Sequence, residues 1–203
     1  MRRFLLLVHR VPVRGDFTLN DLAGGGGRMD EVARAVSTAF TLSNDLRRDT
    51  EVTLLFAGAT PESARRIDVV GHRLRYLNPD ERSTAALLKN ALVRSAEYPQ
   101  PFESSPGIRV GPTVPATALA EFLQGPGAVW LTEGGDPIAG WAPPPAGLSA
   151  VVSDPYDPTP AEAEALVASG IPRLSVGPRS LRTSQVIDAV HRELDLREAA
   201  TGP

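Results

Sequence analysis

No cysteine occurs anywhere in the 203 residues, which excludes a disulfide framework, a thiolate metal site and a thiolate nucleophile. Histidine is almost as scarce: His9, His72 and His191 form no short-spaced pair of the kind that holds zinc. No apolar run approaches the roughly 20 residues needed to cross a bilayer. The longest such stretch, Phe4 to Val8, follows Met1-Arg2-Arg3 and stops at His9-Arg10, too short for the core of a secretion signal plus its cleavage site. These absences predict a cytoplasmic chain without metal. A dominant charge is missing too. With 21 Lys and Arg against 24 Asp and Glu the net charge is −3, which argues against a nonspecific nucleic-acid coat but leaves room for a local basic patch that holds a folded RNA.

What is present has the composition of an ordinary globular protein, 42% hydrophobic and 22% charged, and the length predicts one domain over 1–203. Phe4 to Val8 and Val52 to Ala57 are continuous apolar runs that read as strands buried on both faces. Between them Met29, Val32, Ala33, Val36, Phe40 and Leu42 recur at helical spacing. Ile67 to Val70 and Leu74 to Leu77, flanking Gly71-His72, read as a small β-hairpin, and Arg82 to Ser95 as a helix. Tyr98 to Ser105, rich in Pro and Ser, reads as a linker. The second half alternates: helix Ala116 to Leu123, strand Gly127 to Leu131, strand Leu148 to Val152, helix Pro160 to Ala168, strand Arg173 to Val176, helix Thr183 to Leu196. The class is α/β, with glycines and prolines at the ends of the last strands, where open sheets place ligands.

Three segments carry candidate chemistry. Gly15-Asp16-Phe17-Thr18-Leu19-Asn20-Asp21-Leu22, running through Gly24 to Gly27 into Arg28-Met29-Asp30, reads either as a loop that closes over a substrate or as a turn and cap. It lacks the Gly-Lys-Ser/Thr ending of a phosphate loop. Tyr76 to Thr84 places Asp80, Glu81 and Arg82 at one helix start. Asp80 and Glu81 suit the helix dipole there, whereas Arg82 runs against it and reads as placed for an anion. Leu174 to Thr183 is a strand end, a Gly-Pro turn and a new helix. Together with Trp130 to Gly135 and Val152 to Pro155 it defines three strand ends whose loops can converge on a small ligand.

In order and spacing these segments resemble the archaeal tRNA pseudouridine N1-methyltransferases and their bacterial relatives, of the SPOUT superfamily. The likeness spans nearly the whole chain: GDFTLNDL with RMD, the F-x-LSNDLRRD-x-EV segment at Phe40 to Val52, RYLNPDERSTAALL, WLTEGG, VVSDP and LSVGPRSL. RYLNPDERST is the most specific of them.

The resemblance implies a parallel sheet with a C-terminal trefoil knot, about 127–197, an S-adenosyl-L-methionine cofactor bound in that knot, and a homodimer with each site at the subunit interface. Carried over position by position, it implies cofactor contacts at Leu131, Glu133, Gly134 and Gly135, at Ser153 and Asp154, and at Leu174, Ser175, Gly177, Ser180 and Leu181. Two positions depart from relatives, which have Cys where Val186 stands and His where Pro155 stands. Methylation of a nitrogen needs no cysteine adduct, so a cysteine-free chain suits N1 of pseudouridine better than C5 of uridine. The implied substrate is tRNA. Asp80 is the candidate base or orienting acceptor and Arg82 the candidate stabiliser of developing charge or clamp on a phosphate. Arg14, Arg47 and Arg48 are candidate RNA contacts, with a solvated helix end as the alternative for Arg47 and Arg48, and Phe17 is a candidate for stacking on a flipped base. Two rival readings are a methyltransferase acting on another RNA such as rRNA, and a catalytically silent RNA-binding relative.

Overall fold

Parallel strands form the centre of the structure because the first strand is apolar at every position after its two arginines. In the computed structural model, which describes residues 1–60 and 63–201, β1 (Arg2–Val8) pairs in parallel with β2 (Thr50–Phe56) on one side and with a later strand, β7 (Leu148–Ser153), on the other. Side chains alternate across it. Phe4, Leu6 and Val8 enter one core and Leu5 and Leu7 another, so both faces need cover and no polar position is left.

The first core lies under α1 (Met29–Phe40), α2 (Glu81–Ser95) and α5 (Thr183–Thr201). The second lies under the shorter α3 (Pro115–Leu123) and α4 (Pro160–Ala168), which contribute Ala118, Leu119, Leu123 and Leu166. The strands β3 (Arg65–Val70), β4 (Phe102–Ser105), β5 (Ile108–Pro112), β6 (Ala128–Pro137) and β8 (Arg173–Ser175) complete one eight-stranded sheet in the order β4-β5-β3-β2-β1-β7-β6-β8. The half that contains β1, β2, β7, β6 and β8 is parallel, and β3, β5 and β4 continue it antiparallel.

A β-hairpin is present, but at Phe102 to Pro112 rather than at Ile67 to Leu77. After β3 the chain makes a single 3-10 turn, Gly71–Arg73, and leaves the sheet. Leu74 and Leu77 are both buried, three residues apart, which is the spacing of a turn and not the alternation of a strand. The Arg48 guanidinium holds this turn by donating to the carbonyls of Gly71 and Leu74. The stretch read as a linker contains β4. At the C-terminal helix, Ile187, Val190 and Leu194 are buried in the chain's own core, with Val186 packed beside them.

Candidate active site

The ends of β6, β7 and β8 open into a cleft of about 670 Å³. Its first wall is a bulge. Leu131 on β6 pairs with Leu174 on β8, and then Asp136 pairs with that same Leu174, so residues 132–135 loop out of the ladder between them. Leu131 and Glu133 line the cleft. Gly135 lies so close to β8 that a Cβ there would sit 2.6 Å from the backbone of Arg173 and Leu174, which is why the bulge needs glycine. Gly134 meets only the tip of the Arg173 side chain, at 3.5 Å.

The second wall is the end of β7, with Ser153 and Asp154, and the third runs from the end of β8, with Leu174 and Ser175, into the segment before α5, with Gly177, Ser180 and Leu181. The walls are tied together. Thr183 Oγ1 donates to the Ser153 carbonyl at 2.6 Å, and Ser184 donates from Oγ and from its backbone to Oε1 of Glu31 at 2.8 and 3.3 Å. Glu31 is 2% exposed and lines the cleft from α1; its other oxygen takes Arg34, which also reaches Glu81 at the start of α2.

Beneath the second wall, His9 stands between two carboxylates. Nδ1 lies 2.8 Å from Asp154 and Nε2 lies 3.0 Å from Glu162, while the His9 backbone N–H donates to the other Asp154 oxygen. Both ring nitrogens face acceptors, so both hydrogen bonds require the imidazolium. Burial opposes that charge, but the bonds to Asp154 and Glu162 outweigh it and push the His9 pKa up to about 9. Burial tends to raise the Glu162 carboxyl, and His9 together with Thr159 holds it below its ordinary range instead. The clamp joins β1, the loop after β7 and the capping box of α4. On the same loop Tyr156 faces the cleft, with the Arg10 guanidinium 3.9 Å above its ring.

The other candidate residues lie elsewhere. Asp80 is the N-cap of α2, accepting from the Ser83 backbone at 2.8 Å, and hydrogen bonding of that kind holds its carboxyl below the ordinary range. Arg82 does not wait for an anion: its Nη1 donates to the Leu19 carbonyl at 2.8 Å and to Oδ1 of Asn20 at 2.9 Å, pinning the 15–22 loop to α2. Neither residue lines the cleft. Phe17 is 6% exposed and packs into the core beneath Lys89, leaving no free ring face for a base. Arg47 is engaged bidentately by Asp195 at 3.0 and 2.6 Å, and Arg48 is spent on Gly71, Leu74 and Asp45. Of the RNA candidates Arg14 alone is exposed and without an ion pair among the described residues.

Sequence reasoning missed His9, Arg28 and Glu31. His9 carries no periodic or motif signal, because its partners are 145 and 153 residues away. Glu31 looks like any first-turn carboxylate until α5 is brought beside it. Among the described residues no group of three or more His, Cys, Asp or Glu is arranged to hold a metal ion, and no helix is long and apolar enough to cross a membrane.

A family model described as "Putative SAM-dependent RNA methyltransferase" matches residues 1–199. The curated relative named tRNA (pseudouridine(54)-N(1))-methyltransferase from Haloferax volcanii is 41% identical over 197 residues, 96% of each chain. Its namesake from Methanosarcina acetivorans is 39% identical over 202 residues, covering 100% of this chain and 94% of that one. The crystal structure of Archaeoglobus fulgidus Nep1 bound to S-adenosylhomocysteine aligns with a TM-score of 0.63 at 14% identity, over 98% of this chain and 99% of that one, and shows that the two share a fold, the α/β SPOUT fold expected from the sequence. With a family model matched over residues 1–199 and relatives near 40% identity over 94–96% of their lengths, the chain belongs to the SAM-dependent RNA methyltransferase family.

Proposed function

We propose that the protein transfers a methyl group from S-adenosyl-L-methionine to N1 of a pseudouridine in tRNA, the reaction for which its relatives are named. The observation that carries the reading is convergence: three separate segments, at the ends of β6, β7 and β8, meet in one cleft. Its volume of about 670 Å³ suits a nucleoside joined to an amino acid, since small-molecule sites occupy roughly 300–1,000 Å³. Of the acidic side chains on its walls, Glu31 and Asp154 are paired with Arg34 and His9, and Glu133 is exposed and suits the positive sulfonium or ammonium of the ligand. When bound, the cofactor supplies a methyl group already activated by the positive sulfur.

Cofactor contacts are assigned to Leu131, Glu133, Gly134, Gly135, Ser153, Asp154, Leu174, Ser175, Gly177, Ser180 and Leu181. The loops hold the ligand in position, and the N1–methyl bond forms as the sulfur–carbon bond breaks, with the N1 proton passing to an acceptor. Asp80 is assigned to accept the N1–H hydrogen bond and so orient N1, while the proton itself leaves to solvent water. Its lowered pKa keeps it ionised, which fits orientation by hydrogen bonding better than strong base catalysis. Because Asp80 lies outside the cleft of its own chain, the assignment calls for a homodimer in which α2 of one copy reaches the cleft of the other. A single domain over 1–203 with a knot at about 127–197, and a cytoplasmic location, belong to the same proposal.

Labelled cofactor incubated with total RNA, followed by fractionation and digestion to nucleosides, is the test. Label in N1-methylpseudouridine from tRNA is expected. Label confined to rRNA, or no transfer by protein that binds the cofactor calorimetrically, overturns the proposal.

A further inference from the structure

Phe17 is buried in the core, and Arg47 and Arg48 spend their guanidinium groups on Asp195, Asp45 and backbone carbonyls, which points to another surface for gripping the nucleic acid. A smaller cavity, about 210 Å³ beside Ser149 at the opposite strand ends, mixes Arg3 and Arg66 with Glu51 and Glu121 and offers no net attraction to a polyanion. The cleft mouth differs. Arg28, Arg179 and Arg182 all line it, and Arg10 covers the lining Tyr156. Arg10, Arg179 and Arg182 are exposed, and none of the three has a carboxylate partner among the described residues.

Arg28 is the exceptional member. Among the described residues it is the only one other than glycine at positive φ, with φ 72 and ψ 28. That left-handed conformation is costly for any residue with a Cβ. Four glycines precede it, so a glycine at 28 would extend an existing run. The position keeps an arginine instead, and the turn cannot relax: a Cβ on Gly27 would lie 2.0 Å from the Arg10 carbonyl oxygen, and Asp21 holds the backbone N–H groups of Gly24 and Gly25. Asp30 then fixes the guanidinium by taking Nε and Nη2, both at 3.0 Å, and leaves Nη1 for another acceptor. A strained backbone and an orienting carboxylate thus present a rigid cation at a partly exposed rim, a geometry suited to a phosphate oxygen.

We propose that Arg28, with Arg10, Arg179 and Arg182, forms a phosphate-gripping rim that seats the RNA backbone over the cleft. The inference rests on the proposed RNA methyltransferase activity and adds the surface by which the substrate is held. Four cations from three segments are more than the single carboxylate of the cofactor requires, which favours a polyanion as the occupant.

Arg28→Gly separates strain from function. It is expected to melt at or above the wild-type temperature and to bind S-adenosyl-L-methionine within about twofold of wild type. Affinity for a tRNA transcript should fall roughly three- to tenfold, and the slope of log affinity against log salt should shrink by about 1. Arg10→Ala and Arg179→Ala, at exposed positions outside the core, should each lower the slope similarly and serve if the glycine variant folds poorly. Unchanged tRNA affinity and slope in all three overturns the rim. Loss of cofactor affinity with tRNA binding intact also overturns it and gives Arg28 to the cofactor's carboxylate. Wild-type protein that binds tRNA with the full slope yet transfers no methyl group would sink the proposed reaction and leave the rim standing.

Discussion

Arg82 reaches back 62 and 63 residues to Asn20 and Leu19, so one side chain at the start of α2 sets the position of the 15–22 loop. Arg82→Ala is therefore expected to lower stability by about 0.5–1.5 kcal/mol in a thermal melt, the net worth of a hydrogen bond or two, and to speed proteolysis within that loop. A melt unchanged from wild type would show that solvent replaces those bonds without cost. Asp80→Asn should behave oppositely. Asn caps helices as well as Asp does, so the melt should stay at the wild-type value. If Asp80 orients the N1 proton, methyl transfer falls by roughly 10²–10⁴-fold with cofactor affinity unchanged; wild-type turnover would leave Asp80 a cap and nothing more. Both residues stand out in the sequence for the same reason, charge at a helix start. The cap on Ser83 is legible there because it is three residues away, whereas the partners of Arg82 become visible only when the loop is folded against α2.

Elements with a strong period were legible, and those defined by a neighbour were not. The stripes of α1 and α2 and the apolar runs of β1 and β2 appear where the sequence places them, within a few residues. β4 is a four-residue edge strand with Glu103, Ser104 and Ser105, and only its pairing with β5 distinguishes it from the Pro-rich turn before it. The bulge in β6 was equally hidden: WLTEGG announces a strand end, while the chain in fact returns to the same register position on β8. Its two glycines differ in a way that can be measured. Gly135→Ala would press a methyl group against backbone that has nowhere to move, and should cost about 1–3 kcal/mol of stability together with a weaker cofactor affinity. Gly134→Ala meets only a flexible arginine tip at 3.5 Å and should change the melt far less. Equal effects in the two variants would mean that the close packing of β6 on β8 does not hold the wall in place.

Across the whole molecule, two histidines in opposite states stand beside the two ends of β1, His191 from α5 and His9 just after the strand, and together they set how stability varies with pH. Near the start of β1, Arg2 is 3% exposed and pairs with Asp195, Glu198 and Asp49. His191 lies against it, its Nε2–H donating to the Ala39 carbonyl and its Nδ1 accepting from Arg2, so this ring is neutral. Burial, reinforced by the nearby Arg47 and Arg2 cations, pushes the His191 pKa down to about 3. A histidine whose folded pKa lies below its unfolded value of about 6.5 gives stability that is complete above that value and lost as the pH falls towards the folded one. At the other end of β1, His9 is raised to about 9, so its contribution is complete below about 6.5 and is lost as the pH climbs to 9. At about 1.4 kcal/mol per pKa unit, the alkaline loss from His9 is on the order of 3 kcal/mol and the acid loss from His191 on the order of 4–5 kcal/mol as upper bounds. Urea midpoints measured from pH 5 to 9.5 should therefore peak near pH 6–7 and decline on both sides. His9→Gln keeps a hydrogen-bonding side chain but not the titration, so it should be less stable at pH 6.5 and should flatten the alkaline limb while leaving the acid limb unchanged. Cofactor affinity, read by calorimetry in the same buffers, should weaken along that alkaline limb in the wild type, because Asp154 lines the cleft and loses its cationic partner. A wild-type midpoint that stays level from pH 7 to 9 would show that His9 does not carry its proton between Asp154 and Glu162, and that the loop after β7 is held by its packing alone.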